Sequence, residues 1–285
     1  MIKIIFADLD GTLLKDDKTV SDFTLDTLNG LYHKGIVFIP ATGRNLGGIP
    51  EGIRKVKGVR YFLTANGAAI FEVREDRTEC IYEALIPDDA VRDIIALSRK
   101  LGVMADPFEA DKAYTDSFNL AVLEKAGVSE AVMDYIKSNR VILDSVPDYY
   151  TKARPHINKI TMNFALDEEG RPVGKEEVLR YIGSRSDITA VTGGANNIEV
   201  TSVRATKGGA VRFLAERLGA DMGDIMCIGD SENDISMLKA AGTGVCMKNS
   251  DAKVIAAADF VADSNEEDGA AKAILKYTGG EERCI

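Results

Sequence analysis

Short apolar runs alternate with amphipathic patterns at the start of the chain. Largely apolar runs within the segments 2–7, 36–44 and 60–67 predict three strands. Between the first two, residues 21–34 place leucines on one helical face after a serine that can act as an N-cap. Strands separated by helices are joined by crossover connections, so this order predicts a parallel α/β sheet.

The same alternation returns in the last third of the chain. The predicted elements are helix 207–218, strand 225–230, helix 231–241, strand 243–247, helix 251–258, strand 259–263 and helix 269–277. These segments are therefore expected to extend the sheet that the N-terminal segments begin.

The middle of the chain has a different pattern. Residues 68–85 predict a β-hairpin with a polar turn, Pro87 opens a helical pattern, and apolar and polar residues alternate over 159–166. Two polar stretches, 106–114 and 147–156, are expected to be surface loops. The pattern predicts an α+β domain of about 105 residues inserted into the α/β domain.

Composition and charge narrow the class of protein. The 285 residues include 35 basic and 45 acidic side chains, which give a formal net charge of −10. This charge argues against binding to nucleic acid or to an anionic membrane. The sequence has no apolar stretch of about 18 residues, the length of a membrane-spanning helix, and no secretory signal, so a soluble cytoplasmic protein is expected. The oligomeric state is unknown. Four cysteines lack zinc-like spacing and are expected to be reduced thiols: Cys80, Cys227, Cys246 and Cys284.

Four polar motifs lie at the ends of the predicted elements. They are DLDGT at 8–12, ATGR at 41–44, TKGGA at 206–210 and GDSEND at 229–234. Three of them directly follow predicted strands, and Lys207 opens a predicted helix. The carboxyl ends of parallel strands share one edge of a sheet, so these motifs are expected to converge at a ligand site there.

The motif side chains favour magnesium and phosphoryl chemistry. Asp8, Asp230 and Asp234 offer oxygen ligands without a nearby histidine or cysteine, and Mg²⁺ prefers such ligands. An aspartate in this setting can attack phosphorus and carry the phosphoryl group as an aspartyl-phosphate.

Charge explains why a cation would be needed at this site. A phosphate dianion about 4 Å from one carboxylate is repelled by roughly 8 kcal/mol at an effective dielectric constant of about 20. The three carboxylates (−3) and phosphate (−2) sum to −5, and Mg²⁺ together with Lys207 returns +3. The metal is therefore expected to be obligatory.

Asp10 is expected to have a separate role. It lies two residues after Asp8 and so emerges on the same side of the strand. If its side chain stays clear of the metal, its carboxyl can protonate the leaving alkoxide and later deprotonate the attacking water. That role requires nearby negative charge to raise its pKa more than the metal lowers it.

In these motifs the chain resembles the haloacid dehalogenase (HAD) superfamily, in particular the Cof-type phosphatases with a large α/β cap. The matching segments are DLDGTLL, ATGR, TKGGAV and GDSENDISML. The resemblance covers nearly the whole chain, because the family's cap lies between its second and third motifs. The expected fold is α/β, with a Rossmann-like parallel sheet core over 1–84 and 193–285 and an inserted α+β cap domain over 85–192.

The resemblance implies a role for each motif residue. Asp8 is similar to the nucleophile and Asp10 to the general acid/base, while Asp8, the Asp10 backbone carbonyl and Asp230 correspond to the Mg²⁺ ligands. Asn66 and Gly67 match a structural turn after the third strand. The residues that hold phosphate would be Thr42, Gly43, Lys207 and Asn233, with Asp234 and Arg44 in supporting positions. The family residue that Asn233 resembles either contacts phosphate or supports the metal.

The leading hypothesis is a Mg²⁺-dependent phosphatase acting on a small soluble phosphorylated metabolite. Sugar phosphates, nucleotides, flavin mononucleotide and pyridoxal phosphate are all open as substrates, and a phosphomutase of the same superfamily is the alternative function. A phosphoacceptor signalling module also uses carboxylates, a threonine and a lysine around Mg²⁺, but such modules lack an inserted cap. A P-loop or dinucleotide-binding enzyme is excluded because neither glycine-rich motif occurs.

Overall fold

The computed structural model describes residues 1–75, 77–109, 111–194 and 196–279. In chain order the strands are β1 (Ile4–Ala7), β2 (Val37–Pro40), β3 (Tyr61–Thr64), β4 (Ala69–Val73), β5 (Thr78–Glu83), β6 (Met104–Phe108), β7 (Tyr114–Asp116), β8 (Val141–Leu143), β9 (Lys159–Asn163), β10 (Ile188–Gly194), β11 (Asn197–Ser202), β12 (Ile225–Gly229), β13 (Thr243–Met247) and β14 (Phe260–Ala262). The α-helices are α1 (Asp22–His33), α2 (Glu51–Arg54), α3 (Asp88–Leu101), α4 (Ser117–Lys125), α5 (Glu130–Asn139), α6 (Val146–Ala153), α7 (Lys175–Gly183), α8 (Lys207–Leu218), α9 (Ile235–Leu238), α10 (Ala252–Ile255) and α11 (Gly269–Tyr277).

The chain folds as two compact units. The first comprises Met1–Arg44, Ile49–Tyr82 and Thr206–Ile285, and the second comprises Asn45–Gly48 and Glu83–Ala205. The chain thus leaves the first unit briefly at Asn45–Gly48, leaves it again at the last residue of β5 and returns to it just before α8.

The first unit is built on a five-stranded parallel sheet with the strand order β14-β13-β12-β1-β2. Strand β1 pairs with β12 on one side and with β2 on the other. At its last residue, Ala7 lies opposite Ile228 and Pro40 in the two neighbouring strands. The carboxyl ends of these three strands therefore finish at one edge of the sheet.

Strand β1 is buried on both of its faces. Ile4 and Phe6 belong to one core cluster with residues of α8 and α9. Ile5, between them, has no exposed surface and points to the opposite face. A parallel strand covered on both sides needs apolar residues at successive positions, which accounts for the continuous apolar run at 4–7.

Two local predictions for the first unit are confirmed. Helix α1 begins after Ser21, whose Oγ accepts a hydrogen bond from the Thr24 backbone N–H at 3.0 Å. The hairpin predicted over 68–85 is formed by β4 and β5, which join β3 in a three-stranded sheet.

The second unit has an antiparallel sheet with the strand order β10-β11-β9-β6. Ile160 and Met162 of β9 are buried in one cluster with Val91 and Ile94 of α3. This burial agrees with the alternation of apolar and polar residues in that segment.

Strands β10 and β11 form a hairpin that extends to Ser202 and pairs with β9. The domain boundary expected at residue 192 falls inside this hairpin. Apolar and polar residues alternate in β11 as regularly as in β9, but the glycines at the end of β10 interrupt the pattern before it begins.

The two stretches expected to be surface loops are partly buried. In 106–114, Asp106 and Phe108 are buried in β6, and in 147–156, Tyr150 is buried in α6. Their polar groups find partners that are distant in sequence, so polar composition alone gave the wrong prediction.

Asp106 gives the second unit a testable dependence on pH. Burial raises the pKa of Asp106 to about 6, although Arg140 lies 3.5 Å away and the Asn119 amide donates to its Oδ1 at 2.8 Å. The folded state holds this proton more tightly than the unfolded chain does. Asp106 therefore lowers stability as pH rises from 3.8 to about 6, by up to roughly 3 kcal/mol.

We expect Asp106→Asn to remove this dependence. Urea unfolding of the wild type and the variant at several pH values should give a difference that grows in the variant's favour from pH 3.8 to about 6 and is constant above it. Asp144→Asn, which changes an exposed carboxyl of the same unit, is the matched control. A difference that does not vary with pH would contradict the assignment.

Across the described ranges, no helix combines the length and the apolar character needed to cross a bilayer. Cys80, Cys227 and Cys246 are thiols rather than disulfides. Cys284 lies outside the described residues.

Candidate active site

Three of the four motifs meet at the carboxyl edge of the parallel sheet. Asp8 directly follows β1, and its backbone N–H donates to the Ile228 carbonyl of β12 at 2.9 Å. Thr42 follows β2 and Asp230 follows β12. Because β1 lies between these two strands, the motifs are neighbours at one edge, as the sequence predicts.

Lys207 brings the remaining motif to the same edge. Its Nζ lies 2.7 Å from Asp8 Oδ1 and 2.5 Å from Asp234 Oδ1, and its side chain has no exposed surface. Thr206 caps α8 by accepting from the Gly209 backbone N–H at 3.0 Å. The cap fixes the start of the helix, so the lysine next to it enters the site in a defined direction.

Asp234 is a fully buried carboxylate with partners on both oxygens. Oδ1 accepts from Lys207, and Oδ2 accepts from the backbone N–H groups of Asp230 and Ser231 at 3.0 and 2.9 Å. The Ser231 and Asp234 side chains form a capping box at the turn that follows β12. Asp234 therefore orients Lys207 and shapes the loop that carries Asp230.

Asp230 is held by two hydroxyl groups. Thr12 Oγ1 donates to its Oδ1 at 2.9 Å, and Ser231 Oγ donates to its Oδ2 at 3.0 Å. Thr12 belongs to the first motif, so this hydrogen bond ties the loop after β1 to the loop after β12.

Gly11 allows these two loops to approach. Its φ of +78° lies in the left-handed region, and a Cβ there would lie 2.4 Å from Asp230 Oδ2. Any side chain at position 11 would therefore be strained and would displace the Asp230 carboxylate.

We expect Gly11→Ala to lower the free energy of unfolding by about 3 kcal/mol and to reduce activity. Gly35→Ala is the matched control, because Gly35 has a similar φ of +69° but open space around its Cβ position. The control should cost only about 1 kcal/mol. Chemical denaturation and phosphate release measure the two effects, and equal losses for both variants would contradict a role for the Asp230 contact.

The turn after β3 holds consecutive residues in the left-handed region. Ala65 and Asn66 have φ of 49° and 61°, which is unusual for residues other than glycine. Asn66 is buried, and its Oδ1 accepts from Asn233 Nδ2 at 2.9 Å. A strained turn at a strand end is typical of functional sites, and here it positions the Asn233 side chain.

Thr42 and Gly43 lie against the same turn. The Asn66 backbone N–H donates to the Thr42 carbonyl at 3.1 Å, and Gly43 packs against the Asn66 side chain. Thr42 is buried, and its Oγ1 accepts from the Arg44 backbone N–H at 3.1 Å.

Asp10 differs from the expectation that its carboxyl is free to hold a proton. Arg44 donates to both of its oxygens at 2.7 Å, and Lys18 Nζ lies 3.1 Å from Oδ1. Burial favours the neutral acid, but the hydrogen bonds and charges of these two cations outweigh it and lower the pKa of Asp10. Arg44, to which the resemblance gives a supporting position, thus contacts Asp10 in this structure.

Comparison with known proteins places this geometry in a family. A sequence profile of haloacid dehalogenase-like hydrolases matches residues 5–274. This chain is a haloacid dehalogenase-like hydrolase.

Relatives with known names agree with this assignment. The hydrolase is 28% identical over 276 residues to the 5-amino-6-(5-phospho-D-ribitylamino)uracil phosphatase YcsE of Bacillus subtilis, which covers 97% of this chain and 96% of that protein. Its fold is similar to the phosphatase BT1666 from Bacteroides thetaiotaomicron, with a TM-score of 0.78, 27% identity and coverage of 98% of this chain and 96% of the other. It is also similar to the subclass IIB sugar phosphatase BT4131, with a TM-score of 0.76, 25% identity and coverage of 97% and 99%. The predicted superfamily and fold class are confirmed.

Burial and like charges act strongly on the carboxylates of the hydrolase. The pKa of Asp8 is raised well above its ordinary value, and burial is the largest cause. The Lys207 charge lowers this pKa, whereas the charges of Asp234 and Asp230 raise it further. Burial and Asp234 also raise the pKa of Asp230. Burial disfavours the charged form of Lys207, but Asp234 and Asp8 outweigh it and raise its pKa, so the ammonium stays charged.

The donor set of the hydrolase suits a hard divalent cation. One oxygen each of Asp8, Asp230 and Asp234 lie within 4.8 Å of one another. Asp234 is fully buried, and its oxygens accept from the Lys207 ammonium and from two backbone N–H groups. Asp230 is only partly buried and accepts from two hydroxyl groups, and Asp8 Oδ2 accepts no hydrogen bond from any described residue. Asp8 and Asp230 are therefore the carboxylates best placed to bind a cation, and oxygen-only donors suit Mg²⁺.

Sequence reasoning missed several contacts of this site. Lys18, which has a left-handed φ of 68°, reaches Asp10, and Thr12 binds Asp230. The threonine of DLDGT had a signal, since it directly follows the paired aspartates. Lys18 had none, because a lysine in a polar loop is ordinarily solvated.

Proposed function

We propose that the hydrolase is a Mg²⁺-dependent phosphatase that removes phosphate from small phosphomonoesters through an aspartyl-phosphate. The observation that carries this proposal is the buried Lys207 ammonium between Asp8 and Asp234, with Asp230 beside them. In this arrangement the lysine can stabilise the negative charge of a phosphate group, and the carboxylates can bind a cation that lies next to the phosphate.

Asp8, Asp230 and the backbone carbonyl of Asp10 would hold the ion. When bound, Mg²⁺ supplies positive charge that offsets the repulsion between the carboxylates and phosphate. Without it, the three carboxylates and Lys207 sum to −2, a charge that disfavours a phosphate dianion.

Asp8 is the proposed nucleophile. A carboxylate oxygen of Asp8 attacks phosphorus, the bond from phosphorus to the ester oxygen breaks, and the phosphoryl group is transferred to Asp8. Lys207 and Thr42 are the proposed donors to the phosphoryl oxygens, with Gly43 giving the backbone close access. Asn233 uses one amide N–H on Asn66, and its second N–H can serve the phosphoryl group.

Asp10 is the proposed acid/base. It gives a proton to the departing ester oxygen and takes one from the water that hydrolyses the aspartyl-phosphate. Since Arg44 holds both oxygens of Asp10 in this structure, the Arg44 side chain must release at least one of them before the proton can be carried there. A substrate phosphate is a competing partner for that guanidinium.

A small phosphorylated metabolite is the proposed substrate class. It is supported by the names of similar proteins, one a sugar phosphatase and one a phosphatase of a phosphorylated ribitylaminouracil. The two-domain organisation with a cap and the cytoplasmic location stay predictions from the sequence.

A phosphate-release screen tests this function. The purified full chain would be incubated with a panel of sugar phosphates, nucleotides and cofactor phosphates, with Mg²⁺ and separately with EDTA. We expect release of free phosphate from at least one small monoester with Mg²⁺ and none with EDTA. Transfer of phosphate between positions of a substrate without its release would favour the phosphomutase, and undiminished release in EDTA would contradict the metal requirement.

A further inference from the structure

Three arginines of the first unit surround one buried carboxylate. Glu72 of β4 has 2% exposed surface. Arg60 comes just before β3, Arg74 just after β4, and Arg217 lies in the last turn of α8. All three guanidinium groups form ion pairs with Glu72.

Most contacts of Glu72 involve one carboxylate oxygen, Oε1, and few involve the other, Oε2. Oε1 accepts from Arg74 at 3.3 Å from Nε and 3.0 Å from Nη2, and it also contacts Arg60 and the Tyr61 hydroxyl. Oε2 is buried and accepts no hydrogen bond from the described residues, and the Arg217 Nη2 lies 3.5 Å from it. Charge alone therefore holds Arg217 beside Glu72.

One carboxylate cannot neutralise three guanidinium groups. The cluster sums to +2 in a chain whose net charge is −10. Among the described residues, the neighbouring carboxylates Glu75 and Glu216 form no ion pair with these arginines. Within the part of the chain that the structure describes, Glu72 is thus the one carboxylate that forms an ion pair with these three arginines.

The guanidinium groups are also accessible and retain donors. The side chains of Arg60, Arg74 and Arg217 are 48%, 42% and 45% exposed. Each guanidinium has five N–H donors, and Glu72 uses only some of them. Glu72 holds all three guanidinium groups around one carboxylate. The N–H donors that Glu72 does not use are therefore partly preorganised to bind a ligand.

This cluster is separate from the candidate active site. Lys207 begins α8 and Arg217 lies ten residues further along it, which corresponds to about 15 Å of helix. A ligand at the arginines would not contact Asp8.

We propose that Arg60, Arg74 and Arg217 form a binding site for a small oxyanion of charge −2, either inorganic phosphate or the phosphoryl group of a metabolite. Such an anion balances the excess charge of the cluster and accepts paired N–H groups from guanidinium forks. Glu72 is the residue that positions the arginines.

Calorimetric titration with inorganic phosphate tests the site. The full chain would be titrated in EDTA at constant ionic strength, where the active-site charges disfavour phosphate. We expect one site with a Kd of about 1 mM in the wild type and an affinity loss of about tenfold in Arg217→Gln. Arg212→Gln is the matched control, because Arg212 lies exposed on the same helix without a described ion pair, and it should bind as the wild type does.

A second titration distinguishes the two sources of the oxyanion. Glycerol phosphate that binds as tightly as inorganic phosphate would identify metabolite esters as ligands, whereas binding of inorganic phosphate alone would identify the free anion.

Three outcomes would overturn the proposal. They are no binding up to about 20 mM phosphate, undiminished binding in Arg217→Gln, and an equal loss in Arg217→Gln and Arg212→Gln, which would reflect net charge only. Thermal unfolding checks that Arg217→Gln is folded, and Arg217→Lys, which keeps the charge but loses the fork, should bind with intermediate affinity.

Discussion

Asp8→Asn is expected to lower the rate of phosphate release by about 10⁴-fold or more while the fold is kept. Asparagine has the size of aspartate, and its Oδ1 can still accept from Lys207, which lies 2.7 Å from Asp8 Oδ1. It is a poor nucleophile and cannot form an aspartyl-phosphate. The rate would be measured with Mg²⁺ on the best substrate of the screen, and thermal unfolding would report the fold.

The control for this variant is Asp26→Asn, which changes an exposed carboxyl of α1. It should release phosphate at nearly the wild-type rate. If Asp8→Asn retained a rate within about tenfold of the wild type, Asp8 could not be the nucleophile.

Lys207→Met is expected to abolish activity and to lower the free energy of unfolding by about 3–5 kcal/mol. The substitution leaves the buried Asp8 and Asp234 carboxylates without the ammonium that lies 2.7 and 2.5 Å from them. Urea unfolding in EDTA measures the stability, and the exposed Lys239 provides the control variant Lys239→Met, which should cost less than about 1 kcal/mol.

The double variant Lys207→Met/Asp234→Asn separates the two effects. It removes one of the stranded charges, so it should regain part of the lost stability without regaining activity. A double variant no more stable than Lys207→Met would contradict the view that unpaired buried charge causes the loss.

The parallel sheet and its edge site could be predicted because their signals are local. The run before Asp8 is continuously apolar, as a strand buried on both faces requires, and β12 has the same character before Asp230. Once three motifs are placed after parallel strands, topology alone brings them to one edge. The place of Lys207 in the site could be predicted only from its motif, because a lysine residue by itself gives no indication that its side chain is completely buried.

Helix α6 was missed although its sequence contains start signals. Ser145 accepts from the Asp148 backbone N–H at 3.2 Å, and Pro147 lies in the first turn. The segment is short and rich in tyrosine and charge, so its apolar periodicity is weak, and it is stabilised by burial of Tyr150, whose hydroxyl donates to Asp88 at 2.7 Å. That partner lies 62 residues away and could not be identified from the sequence.

The contact between Asp10 and Arg44 was missed for another reason. Both residues lie in motifs whose spacing gives their place at the sheet edge, but spacing does not determine which of several charged neighbours a carboxylate contacts. Lys18 and Arg44 each offer a charge, and their positions depend on loop conformations such as the left-handed φ of Lys18.

The long segment Glu83–Ala205 of the second unit leaves the first unit after Tyr82 and returns to it at Thr206, and both points are anchored within the first unit. The Tyr82 ring packs on Phe213 with centroids 4.9 Å apart, and Gly67, whose φ is +90°, lies so close to the Thr206 carbonyl that a Cβ would be 2.3 Å from that oxygen. Departure and return are thus fixed by contacts that do not involve the segment between them. This makes the protein modular in the engineering sense, because a different inserted segment could be grafted between Tyr82 and Thr206.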